Sequence, residues 1–362
     1  MNSLLNNQLI RFTNFRYWKE FFALCLPIIV LFFAFPSFKF IPEHWEPILL
    51  QAKNPFIQHS YPDYSHASKL AFRFIPAIII GLFGLSFKGI ILWQYLNGIL
   101  LFYLVGLLVE KKTNNKLAAF YSMLILAFIF TGKVSFINFK DTFDSFILSL
   151  ILLCFLYNKS IFIFFVILVI GFTDERGLIS SGFIFLYLLQ QDSLDKKNSK
   201  IIAIILSWLT YFLIRFFLSI KFGMTTSTGG VDLETLILNL NFAPLSFWQI
   251  FEGAWVIAVL FLIEVYKRKF YFLVLYIIQL LIIAFISFLV FDVTRSMVYE
   301  FPFFIISVLY LSKRYTVEKL NYYLKLSMFI SFLYPAYCSG GTTNIWSLPL
   351  PIKIAFNFFT NS

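Results

Sequence analysis

Charge is the scarcest commodity in this chain: only 13% of its 362 residues are Asp, Glu, Lys or Arg. Three His and three Cys complete a short list of groups with polar chemistry. With so little polar surface a water-facing globule cannot be covered, so a soluble domain of this length is excluded. Cys25, Cys154 and Cys338 lie within or at the end of apolar runs without paired spacing, which excludes a disulfide framework and a zinc knuckle. No phosphate-binding Walker loop, Gly-x-Gly-x-x-Gly turn, His-Glu-x-x-His pair or serine elbow occurs, so nucleotide-driven and common hydrolytic chemistries have no support. The first apolar run also lacks a small-residue cleavage site and reads as a retained helix rather than a signal peptide.

What is abundant is apolar: 60% of the residues are hydrophobic, 50 of them Phe, and the mean hydropathy is +0.83. Apolar runs begin near residues 20, 90, 117, 144, 161, 177, 201, 247, 270, 296 and 325, giving eleven candidate membrane helices in one domain over 1–362. Several are shorter than a full span and need snorkelling ends or a thinned bilayer. The segment Phe74 to Phe87 is broken by Pro76, Gly81 and Gly84. Treating it as interfacial or re-entrant, with the N-terminus inside, places 17 of the 29 basic residues in inner segments. Treating it as a crossing puts Lys111, Lys112 and Lys116 outside and inverts every later basic loop, so that version is rejected. The expected fold is therefore an all-α polytopic bundle, N-in and C-out. Residues 37–90 form a long outer loop carrying an interfacial or re-entrant helix, and 339–362 an outer tail.

Under that topology the net charge of +11 resides on the inner segments, where it suits an anionic leaflet and implies no nucleic acid partner. The chain reads as an integral protein of a bacterial inner membrane, with membrane lipid as its first partner.

Four charged stretches emerge on the outer side. In Ser60 to Arg73, Asp63, His66, Lys69 and Arg73 are spaced three, three and four apart, which puts them on one face of a helix. A carboxylate there can accept a proton while the cations hold a phosphate, although a solvated amphipathic face explains the same spacing. Asp141 and Asp144 open the next run as either an acidic helix cap or a pair of oxygen ligands for a divalent cation, the one cofactor the sequence offers a place for. Asp174, Glu175 and Arg176 fill a tight turn between apolar runs, either as a hairpin tip or as a holder of a cation or anionic head group. Asp292, Arg295 and Tyr299, at positions 0, 3 and 7, share a helix face, and the first two form either a structural ion pair or a phosphate-facing arginine with its carboxylate.

A long first outer loop bearing Glu43, Glu46 and Asp63, charged outer helix ends, and eleven N-in, C-out helices together resemble the GT-C superfamily of membrane glycosyltransferases. The resemblance is architectural and covers the first 150 residues or so; Pro42-Glu43-His44 stands where that family usually has an Asp-Glu pair. It implies transfer of a sugar from a polyprenyl-phosphate donor to a glycan or lipid acceptor, with an acid of the first outer loop as catalytic residue. Asp63 is preferred, with Asp141 as the alternative proton acceptor. Substrate contacts would fall to His66, Lys69, Arg73, Asp174, Glu175, Arg176, Asp292 and Arg295. Two other readings stay open: an O-antigen-type polysaccharide polymerase, in which Arg215 and Lys221 matter more, and a secondary transporter using the same carboxylates for ions.

Overall fold

The computed structural model of the chain describes residues 2–33, 42–56, 70–137, 143–157, 159–191, 197–225, 233–290, 292–333, 337–340 and 343–346. Among these the architecture is helical, apart from one antiparallel pairing of Tyr337–Gly340 with Thr343–Trp346. Four helices are long and apolar enough to cross a membrane: Phe87–Thr113, Lys197–Phe222, Ala243–Arg268 (a stretch that includes a short 3-10 turn) and Phe270–Phe288. A fifth crossing is formed if Lys116–Phe128 and Phe130–Phe136, bent by 75° at their junction, count as one span. These helices fit an integral membrane protein. All eleven apolar runs contain helix; Asp144–Leu156 and Ser160–Gly171 are too short to cross unaided.

Local sequence sets the ends. Ser86 opens Phe87–Thr113 by accepting a hydrogen bond from the Gly89 amide, and Asn115 does the same for Lys116–Phe128 through Ala118. Between them Asn114 takes the left-handed conformation (φ 52°) that Asn tolerates, turning the chain back on itself within two residues. Phe74–Phe83 has ten residues and stops at Gly84, which is also left-handed. At 1.5 Å per residue it reaches about 15 Å, half of a hydrocarbon core.

The bend in the fifth span has a local cause. Ile129 is extended (ψ 162°), so the helix breaks there, just after the Phe128 carbonyl oxygen. The Lys133 ammonium folds back and donates to that oxygen. Only a glycine fits at 132, because a Cβ would collide with the Leu126 carbonyl.

Phe87–Thr113 packs against Trp18–Phe33, Lys116–Phe128 and Asp144–Leu156 at the centre of the bundle, and Lys197–Phe222 lies along Ser160–Gly171. The long helices carry wide exposed apolar faces, with Phe212, Leu213, Phe216 and Ile220 each 60% exposed or more. Water would penalise such a stripe at about 25 cal/mol per Å2, whereas lipid does not.

Candidate functional site

The turn after Ser160–Gly171 is the centre of the polar architecture. Asp174 caps the helix Glu175–Ser180 by accepting from the Arg176 amide at 2.9 Å. The same carboxylate takes a fork from the Arg176 side chain, Nε at 2.9 Å and Nη2 at 2.6 Å. Arg73 adds Nη1 at 3.0 Å to Asp174 and Nε at 2.8 Å to Glu175. It is delivered by the start of Phe74–Phe83, which is tied to the turn where the Ile75 amide donates to the Phe172 carbonyl.

From the other side Arg176 Nη1 donates to Ser296 Oγ at 2.6 Å, and its guanidinium lies 5.3 Å from the centre of the Tyr299 ring. The Tyr299 hydroxyl hydrogen-bonds Asp144, whose carboxylate also feels Arg295, Arg176 and Asp174. Arg295 reaches Asp292 at 3.5 Å. Arg215 stands 3.9 Å from Glu175 and stacks 4.3 Å above Phe72. Four arginines thus meet four carboxylates, and the formal charges cancel.

Burial alone would raise the Asp174 carboxyl, but Arg176 and Arg73 beside it hold it well below the usual carboxylate range. Asp174 is therefore ionised at neutral pH and serves as the anchor on which two arginines are aimed.

A partly open recess adjoins this cluster. Arg73, Phe143, Thr173, Asp174 and Tyr299 line it, with Ile48 on the apolar side, and its empty space including solvent at the mouth is about 280 Å3. The interior has room for about one water.

The structure brings together Arg73, Asp144, Asp174, Glu175, Arg176, Asp292 and Arg295 from the sequence-derived set. Asp63, His66, Lys69 and Asp141 lie outside the described residues, so the stripe expected on Ser60 to Arg73 is represented by Arg73 alone. Asp144 is buried, and one of its oxygens has no hydrogen-bond partner. Among the described residues no group of three or more His, Cys, Asp or Glu is arranged to hold a metal ion.

Several participants escape sequence reasoning. Ser296 follows Arg295 in an apolar run and carries no charge to mark it, and Tyr299, though on the face of Asp292 and Arg295 in the sequence, gives no sign there of its bond to Asp144. Lys133, Glu252 and Glu300, which the topology assigns to the outer side or to outer helix ends, are each 2% exposed or less. The available signal is a single charge inside an otherwise apolar run. Comparison of the chain with models of known families, with curated proteins and with solved structures gives no match.

Proposed function

We propose that this chain is a glycosyltransferase-like protein of the bacterial inner membrane, with eleven helices arranged N-in and C-out. It transfers a sugar from a polyprenyl-phosphate donor at the outer face to a glycan or lipid acceptor. One observation carries the reading: charged residues from positions 73, 144, 174–176, 215 and 292–295 form one linked cluster, of which Arg73 and Asp174 line a recess. Arginines are the side chains best matched to phosphate, and four of them in one place exceed what a structural pair requires.

Because each of these arginines already has a carboxylate, a donor phosphate enters by exchange. Glu175 is the group that yields: its side chain is 28% exposed, against 6% for Asp174, and its contact with Arg215 is long. Swinging Glu175 outward offers Arg73 and Arg215 to the phosphate while Asp174 keeps Arg73 and Arg176 in place. The acceptor hydroxyl then attacks the anomeric carbon, the bond to the phosphate oxygen breaks with its electrons going to the phosphate, and the hydroxyl proton passes to a carboxylate. Asp63 or Asp141 is assigned that last task.

Deleting the protein and following lipid-linked sugars in the membrane tests the reading. Accumulation of one such donor, reversed by wild-type protein but not by Asp63→Asn or Arg73→Gln, is expected. An unchanged pool of every lipid-linked sugar on deletion contradicts it.

A further inference from the structure

Deeper in the bundle a second pair of opposite charges serves no part of the cluster above. Lys133 and Glu252 are each 2% exposed and act on each other electrostatically. Neither carboxylate oxygen of Glu252 has a hydrogen-bond partner. Glu252 lies 16 residues from Arg268, about 24 Å along its helical stretch from that basic end, and Lys133 follows the 75° bend in the other span. That depth is still within a hydrocarbon core of about 30 Å.

The fold maintains Glu252 there against two costs. An ionised carboxylate without hydrogen bonds in the interior costs several kcal/mol even beside a cation. Its backbone also sits at φ 43° and ψ −121°, in a region where an L residue stores about 1 to 3 kcal/mol. The neighbouring Gly253 locks this geometry, donating its amide to Ser331 Oγ at 3.1 Å and lying so close to the Ser327 carbonyl that a Cβ would collide with it. A residue needed only to fill space has no reason to be an acid at such a position.

Two polar contacts lie close in sequence to the pair. Ser135, two residues after Lys133, donates to Ser145 at 2.5 Å; Ser145 adjoins Asp144, which meets Tyr299 on the recess wall. One turn before Glu252, Gln249 accepts from Thr294 at 2.6 Å, next to Arg295. The helix Val317–Leu333 packs on this turn through Gly253, which meets the Ser331 hydroxyl and the Ser327 carbonyl, and the bent span supplies Lys133. Lys133 is the sole charged group among the described residues that acts on it.

We infer that Glu252 is a proton-exchanging site inside the membrane domain, with Lys133 as its counter-charge. The ligand is H+, which adds to a carboxylate oxygen and takes the pair from neutral to singly positive; no electron or leaving group is involved. The inference stands independently of sugar transfer, since it uses none of the arginines assigned to phosphate.

Infrared difference spectroscopy of the full chain in lipid nanodiscs, titrated from about pH 4 to 10 at fixed Na+, tests it. A protonated-carboxyl band should vanish as pH rises in the wild type, move on incorporation of 13C-labelled glutamate, and be missing from Glu252→Gln. In Lys133→Gln it should persist to higher pH, because loss of the nearby cation favours the neutral acid. Glu252→Gln spectra that superimpose on wild type over the whole range overturn the inference, as does a band that Na+ removes at constant pH. Should Glu252→Gln not fold, the labelled wild type and Lys133→Gln decide: a band unmoved by the label, or unchanged in pH by the lysine substitution, also overturns it.

Discussion

Asp174→Asn removes one charge from the group on which the arginine cluster is hung. The carboxylate accepts four bonds: two from the Arg176 side chain, one from the Arg176 amide and one from Arg73. Asparagine keeps the shape and is itself a good helix cap, so the cap is largely retained. What is lost is the counter-charge of Arg176, whose side chain is 10% exposed, while Arg73 keeps Glu175. Breaking a buried pair from one side costs about 3 to 5 kcal/mol, because the remaining charge stays desolvated. Arg176→Met in the Asp174→Asn background should recover much of that loss, since removing the stranded cation is cheaper than leaving it. Reversible unfolding of the purified protein in mixed micelles measures both. A single substitution within about 0.5 kcal/mol of wild type, or a double variant no better than the single, refutes the reasoning.

The same residue predicts a pH dependence. Its carboxyl is held below the usual range in the folded state, so its contribution is complete above the unfolded value and is lost as pH falls through the folded one. The stability gap between wild type and Asp174→Asn should be constant from pH 7 to about 5 and shrink progressively below that, and a gap already closing at pH 6 contradicts the assignment. Gly132→Ala should destabilise by about 1 to 3 kcal/mol in the same unfolding assay, because its Cβ meets the Leu126 carbonyl where the span bends; a neutral effect argues against the bend. Cysteine labelling from outside the cell should reach Thr226→Cys and Thr342→Cys but not Lys112→Cys, and labelling at 112 inverts the topology.

The positions of the helices are legible because apolar runs and their capping residues are local signals: Ser86, Asn115 and Asp174 each mark a start that the sequence displays. The polar exceptions around 174 and 292 are visible for the same reason. Their partners are not. Arg73 meets Asp174 and Glu175 across about a hundred positions, and a stripe argument over Ser60 to Arg73 sees only neighbours on one helix. Tyr299 is legible as the third member of the face shared with Asp292 and Arg295, but its bond to Asp144, distant in the chain, is not. Lys133 and Glu252 look like snorkelling ends of short spans, and only the break at Ile129 and the tight packing at Gly253 turn them inward.

The central claim, that the outer arginines hold a lipid-linked phosphate, is tested most directly by native mass spectrometry of the detergent-solubilised protein with added polyprenyl phosphate. The account predicts a stoichiometric adduct on the wild type that weakens about ten-fold or more in Arg73→Gln and in Arg215→Gln, the loss of one charge-assisted contact each. It also predicts that the adduct survives in Glu252→Gln. Absence of any adduct on the wild type, or equal binding by the two arginine variants, contradicts it.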